Sequence, residues 1–186
     1  MNYYFFDRIP EIKDNWENIH DLFIEKEVPS KTTLLLEGDI SDKLYFINQG
    51  VLRLWNNCNG KDVTFQFFFE NQIVSSFESF YLEKPSNFSI ESIEETSITV
   101  LDKKNLDLLK LKYPSLNTYI THHICERFVD YTNFFLSQIK ESPEERYKNL
   151  LRDNPKIIER IPNYYIASNL GITPVSLSRI RKRLRK

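Results

Sequence analysis

The twenty residues from Asn163 to Lys182 leave a folding chain little choice. Apolar residues fall at Ile166, Leu170, Ile172, Leu177 and Ile180, and a small residue, Ala167, sits where two crossing helices approach most closely. Gly171 stands between the two halves, where a positive φ ends a helix at low steric cost. Thr173 is placed to cap a second helix, and Pro174 suits its first turn. The spacing predicts two short helices joined by a tight turn, a helix-turn-helix.

The second of these helices has two unlike faces. Leu177, Ile180 and Leu184 recur on one side and are expected to pack inward, while Val175, Ser178, Arg179 and Lys182 point the other way, flanked by Ser176 and Arg183. An arginine on such a helix can donate two hydrogen bonds to guanine O6 and N7, which makes Arg179 the candidate base reader. Arg181, Arg183, Arg185 and Lys186 are expected to grip phosphate, which positions a helix without reading sequence. Residues 141–186 hold 11 Lys/Arg against 5 Asp/Glu, a net of +6. The 14 Lys/Arg and 21 Asp/Glu that remain give residues 1–140 a net of −7. An acidic body with a basic terminal segment suits a phosphate-binding module joined to something else.

Upstream, residues 11–27 read as one amphipathic helix, with Ile12, Trp16, Ile19, Leu22 and Phe23 at helical spacing. From Lys31 the pattern becomes short β-rich runs: Thr32–Glu37, Lys43–Asn48, Val51–Asn56, Val63–Phe69, Ser89–Ile93 and Ser97–Leu101. Turn residues separate them, which predicts a sandwich or barrel. Asn59-Gly60 between two runs is a hairpin signal, because a type I′ turn needs positive φ at both central residues. All four glycines are absorbed in turns, Gly38, Gly50 and Gly60 in the β region and Gly171 between helices, so none remains for a phosphate-cradling loop in the β domain.

Lys103–Lys112 reads as a short helix, and Ser115 as the N-cap of a long one running to Lys140. Along it Leu116, Ile120, Ile124, Phe128, Tyr131, Phe135 and Ile139 form a stripe longer than one small domain would cover. A second copy of the chain could pack there, or the helix could lie wholly on its own domain. Ser142 and Pro143 open the next helix after a hinge, and Asp153-Asn154-Pro155 closes it.

Several function classes are disfavoured. The sequence has no 18-residue apolar run, and Met1–Arg8 lacks the features of a signal peptide. Two cysteines, Cys58 and Cys125, make no disulfide framework or metal spacing, so a reduced cytoplasmic protein is expected, with no metal. A metal-dependent cupin-type enzyme needs His and carboxylate ligands clustered on strands, and no expected strand carries a His. No enzyme and no catalytic residue is expected.

The order of elements resembles the Crp/Fnr family of bacterial transcription regulators over nearly the whole chain. The carrying residues are Leu36-Glu-Gly-Asp39, Ser41–Ile47, Gly50-Val-Leu-Arg-Leu54 and Ile166–Thr173, with Ser176 through Arg179. The resemblance implies an α+β fold: an N-terminal antiparallel β-roll, jelly-roll-like and cyclic-nucleotide-binding-like, over 1–114 with flanking helices, a long dimerisation helix over 115–140, and a helix-turn-helix domain over 141–186. It implies a homodimer on two-fold related double-stranded DNA, with RNA polymerase as a further partner, and Thr173, Ser176, Ser178, Arg179, Lys182 and Arg183 at the DNA. The family usually continues into a β-hairpin wing. This chain stops at Lys186, so a long wing is expected to be missing or replaced by the basic end.

Cyclic-nucleotide binders of this fold carry a Gly-Glu pair followed about ten residues later by Arg. Here Val74 and Ser75 stand at the pair and Ser86 at the Arg, so the cation a cyclic phosphodiester needs is absent there and cyclic AMP is not the expected effector. Lys84 is a nearby substitute cation, or simply a solvated charge. Two cysteines cannot ligate the family's iron–sulfur cluster, and His20, His122 and His123 form no haem ligand set, so no cofactor is expected. By alignment, Tyr131 and Thr132 join Ser75, Ser76, Glu78, Ser86 and Asn87 around an unknown small-molecule effector. Alternatively Phe77, Phe80 and Tyr81 fill that place themselves. A second functional reading keeps the β-roll as a small-molecule module whose basic helical end contacts protein or RNA.

Overall fold

The structure is a computed structural model that describes residues 9–184. The expectations for Met1–Arg8, Arg185 and Lys186 therefore lie outside the described residues. The chain divides into two compact units, Met1–Asn56 with Gln66–Ile124, and Asn57–Phe65 with Cys125–Lys186.

The first unit is built on two four-stranded sheets. Its strands are β1 (Phe23–Val28), β2 (Thr33–Leu35), β3 (Lys43–Gln49), β4 (Leu52–Cys58), β5 (Lys61–Phe68), β6 (Ile73–Val74), β7 (Ser89–Ser92) and β8 (Thr96–Asp102). The sheet orders are β1-β8-β3-β6 and β2-β7-β4-β5. The β1–β8, β3–β8, β3–β6, β2–β7 and β4–β7 pairs are all antiparallel. The tips of β4 and β5, residues 57–65, group with the second unit.

Outside the strands the unit carries α1 (Pro10–Asp14), α2 (Phe77–Leu82), α3 (Lys103–Lys112) and the start of α4 (Ser115–Lys140). Ile9, Ile12, Ile19, Phe23, Phe46, Leu101, Leu109, Tyr113 and Leu116 form one buried cluster. Phe46 and Leu101 come from β3 and β8, so the cluster joins one face of their sheet to α1, α3 and the start of α4. The ring of Phe23 lies 5.2 Å from that of Trp16 and 6.4 Å edge-on from that of Phe46. Each such large side chain taken out of water contributes roughly 1.5–3 kcal/mol.

The helix expected over 11–27 is not there. Pro10–Asp14 forms one short helix, Trp16–Asn18 and His20–Leu22 are 3-10 turns, and Phe23–Val28 is β1. Asn15 ends α1 with its amide donating 2.8 Å to the Glu11 carbonyl, the local side-chain capture that competes with helix propagation. Phe23–Val28 then pairs residue for residue with Leu101–Thr96, and the hydrogen bonds of that ladder override helical spacing. Ser115 is also not an N-cap. It is the first residue of α4, and its N–H and hydroxyl both donate to Glu11 Oε2, at 3.2 and 2.5 Å.

The second unit holds the rest of α4, α5 (Pro143–Asp153), α6 (Ile157–Arg160), α7 (Asn163–Asn169) and α8 (Pro174–Leu184). Ser142 caps α5 reciprocally: its hydroxyl accepts from Glu145 N at 3.3 Å while Glu145 Oε2 accepts from Ser142 N at 2.7 Å. Tyr147, Ile157, Ile161, Tyr165, Ile166, Leu170, Leu177 and Ile180 are buried in this unit. No helix among the described residues is long and apolar enough to cross a membrane.

Candidate functional site

The turn between α7 and α8 follows from its residues. Gly171 takes φ +67°, its N–H bonds the Ser168 carbonyl at 3.0 Å, and Ile172 N–H reaches back to the Ala167 carbonyl at 2.9 Å. This paired 5→2 and 6→1 pattern consumes carbonyls that the end of α7 would otherwise leave orphaned. Thr173 Oγ1 then accepts from Ser176 N at 3.1 Å and lies 3.0 Å from Ser176 Oγ, capping α8. Thr173 and Ser176 are thus occupied in shaping the start of the helix.

Leu177 and Ile180 of α8 are buried, whereas Leu184, expected to pack inward with them, is exposed in the helix's last turn. Val175, Ser178, Arg179 and Lys182 are exposed. The side chains of Arg179 and Lys182 make no hydrogen bond or ion pair among the described residues. The neighbouring cations differ. Arg183 donates to Glu144 Oε2 at 2.6 Å, and Arg181 donates to Asn163 Oδ1. Glu144 also meets Lys148 at 3.4 Å. Desolvation raises the pKa of Glu144, but the hydrogen bonds from Arg183 and Lys148 outweigh it and hold the carboxyl below its usual range.

Arg146 was invisible to sequence reasoning because it sits in a run of charges that reads as a solvated face. Its guanidinium donates 2.9 Å to the Leu170 carbonyl at the helix-turn-helix turn, and 2.5 Å to Gln138 Oε1 at the end of α4. One planar fork therefore holds three helices in register.

In the first unit, β6, α2 and the following loop occupy the expected effector cassette. Val74 is buried in β6, paired with Tyr45. Ser76 and Ser86 are buried, with their hydroxyl oxygens 2.7 Å apart, and Ser86 Oγ also accepts from Phe88 N at 3.0 Å. Asn87 donates to Glu78 at 3.2 Å on the surface, and Ser75 Oγ is buried with no hydrogen-bond partner among the described residues. Lys84 is exposed. The loop 36–41 closes over this segment through Gly38 N to Ser86 O and Ser86 N to Asp39 O, both 2.8 Å. Of the three aromatics expected to fill the region, only Phe80 is buried. Phe77 and Tyr81 stack on each other at 6.0 Å on the exposed side of α2.

Tyr131 and Thr132, the other two effector candidates, belong to the second unit. Tyr131 packs 6.2 Å from Phe65 under the Arg127 guanidinium, and the Thr132 hydroxyl donates to the Phe128 carbonyl. The residues missed in the roll are Arg53 and Glu91. They lie directly opposite each other on β4 and β7, on the face they share with Trp55 and Ser89. The Arg53 side chain is 1% exposed, 3.3 Å from the Glu91 carboxylate and 4.6 Å above the Trp55 ring. Nothing in the pattern Val51-Leu-Arg-Leu54 separates a buried arginine from a surface one.

The chain thus carries a two-sheet β domain, then a long helix, then a helix-turn-helix. Residues 25–112 match the family described as Cyclic nucleotide-binding domain. Solved structures of low identity share the fold over most of the chain. The c-di-GMP responsive global regulator CLP of Xanthomonas campestris has a TM-score of 0.74 at 15% identity, covering 93% of this chain and 91% of that one. FixK2 from Bradyrhizobium japonicum gives 0.76 at 13% identity, over 88% and 84%. A Eubacterium rectale protein described as a transcriptional regulator of the Crp/Fnr family gives 0.71 at 18%, over 92% and 86%. No curated protein matches the sequence.

Proposed function

We propose that the chain is a homodimeric, sequence-specific DNA-binding transcription regulator of the Crp/Fnr type. The carrying observation is α8, held by a tight capped turn with Ser178, Arg179 and Lys182 exposed along one face. In this reading residues 1–114 are the sensor domain, 115–140 the dimerisation helix and 141–186 the DNA-binding domain. Two copies of α8, one per protomer, enter successive major grooves about 34 Å apart. Arg179 reads a base pair in each half-site, while Lys182 contacts phosphate.

The dimer seam is the exposed side of α4. Phe128, Phe135 and Ile139 are 71, 64 and 65% exposed, with Ile124, Val129 and Leu136 beside them. An apolar stripe of that length is costly to leave in water, and a second copy of the same helix covers it in knobs-into-holes fashion.

The cassette is degenerate and does not take cyclic AMP. Ser75 and Ser86 stand where a binder would present its carboxylate and guanidinium, and the Ser86 hydroxyl is engaged by that of Ser76 at 2.7 Å. Fluorescence anisotropy against promoter fragments tests the function. One fragment should bind far more tightly than the rest, and Arg179→Ala should lower that affinity by about 1–3 kcal/mol and relax a single position per half-site. Equal, weak binding to every fragment would refute specific readout.

A further inference from the structure

Strand β5 is the edge of its sheet, and an edge strand presents unpaired backbone groups on its outer side. At the tip of the β4–β5 hairpin these groups are met by the end of α7. Ser168 Oγ accepts from Thr64 N–H at 2.9 Å and donates to the Asp62 carbonyl at 2.7 Å. Asn169 Nδ2 donates to the Phe65 carbonyl at 2.9 Å and lies 3.4 Å from that of Thr64. The one proton of the hydroxyl is used, and the amide has two donors to serve two carbonyls. The strand they grip is itself well held. Thr64 is buried, and the Phe65 ring packs 5.6 Å edge-on from Phe134 and 6.2 Å from Tyr131 of α4. Asn57 Oδ1 accepts from Gly60 N at 2.8 Å across the turn, where Asn59 and Gly60 have φ of +54° and +80°.

Ser168 and Asn169 are also the residues on which the turn to α8 is built. Gly171 N–H bonds the Ser168 carbonyl, and four residues after Asn169 the chain reaches Thr173, the cap of the next helix. A shift of the hairpin tip therefore displaces the side chains and the backbone of the same two residues. The covalent route from there to α8 is a hydrogen-bonded turn with little freedom.

We infer that Ser168 and Asn169 are positioning residues for DNA reading: they clamp the end of α7 to the hairpin backbone and so set the direction in which α8 presents Arg179. The clamp gives the tip of the β4–β5 hairpin a mechanical hold on the recognition helix through the turn. This inference rests on the DNA-binding function proposed above.

The test uses the full chain with Ser168→Ala and Asn169→Asp, the second being isosteric and placing a carboxylate against two carbonyls. Hydrogen exchange at the Thr64 amide reports the clamp directly. Anisotropy on the preferred fragment and on an unrelated duplex, over a series of salt concentrations, reports its consequence. The Thr64 amide should exchange about tenfold faster in Ser168→Ala, and affinity for the preferred fragment should fall about tenfold in both variants. In Ser168→Ala, which changes no charge, affinity for the unrelated duplex and the salt slope should stay as in the wild type, because phosphate contacts depend on charge rather than on helix direction. Faster Thr64 exchange with specific affinity kept within about twofold would overturn the inference, as would unchanged Thr64 exchange. A wild-type chain with no sequence preference would refute the proposed function instead. The clamp is then decided by the Leu177 to Arg181 amides, whose faster exchange in Ser168→Ala supports it and whose unchanged exchange defeats it.

Discussion

The guanidinium of Arg183 on α8 donates to the carboxylate of Glu144 on α5 at 2.6 Å, so one cation of α8 is neutralised within the protein. Glu144→Gln should release it. DNA affinity is expected to rise, and the slope of log K against log salt to steepen by about one phosphate contact. The carboxyl is held below its reference value of 4.5, so the pair is intact above that pH and is lost as pH falls through the depressed value. Acidification should therefore raise DNA affinity in the wild type and leave Glu144→Gln unaffected. Anisotropy titrations across salt and pH measure both.

Lys182 and Arg179 are both exposed on α8 but have different proposed roles. Lys182→Ala should weaken binding to specific and unrelated duplexes alike and reduce the salt slope by about one. Arg179→Ala should act on the specific fragment. Equal behaviour of the two variants on a base-pair substitution series would contradict the assignment.

Arg53 is buried against Glu91, and removing one member leaves the other charge without its partner. Arg53→Ala should destabilise the protein by about 3–5 kcal/mol in urea unfolding. Arg53→Met combined with Glu91→Leu should recover most of that loss, because the apolar pair carries no charge to desolvate. A double variant as unstable as the single one would show that the ion pair is not the cause.

Phe128 and Phe135 lie on the exposed side of α4. Phe128→Glu with Phe135→Glu should convert a dimer to a monomer in sedimentation and weaken specific DNA binding. The isolated protomer should keep its fold, since these rings bury little within one chain. A wild-type chain that is already monomeric at micromolar concentration would remove the dimer from the proposal.

Cyclic AMP at 1,000 times a micromolar dissociation constant would stabilise a binder by about 4 kcal/mol. Here the Ser76–Ser86 pair at 2.7 Å occupies the cassette, and no change in melting temperature is expected. A clear upward shift in a thermal-shift assay would reverse the assignment of residues 74–87.

The helical end of the protein was legible in the sequence because its constraints are local. Gly171, Thr173 and Pro174 act on backbone within one turn of themselves, and Ser142-Pro143 does the same for α5. The Asn59-Gly60 hairpin was equally readable, since positive φ at both positions is a property of the dipeptide. Residues 11–27 were not, because the apolar spacing there suits a helix while the decisive partner, Thr96–Leu101, lies some seventy residues away. β6, with two residues, is too short to leave a periodic signal.

By itself the sequence determined the order of elements, the turns and the charge difference between the acidic body and the basic end. Each of these depends on residues close together in the chain. Only the tertiary structure decided which polar groups are used up by one another: Ser76 by Ser86, Glu144 by Arg183, Arg53 by Glu91, Ser168 and Asn169 by the backbone of β5. A hydrogen bond or ion pair depends on two groups meeting within a few ångströms. Residues 10 to 106 positions apart meet only after the strands and helices have packed.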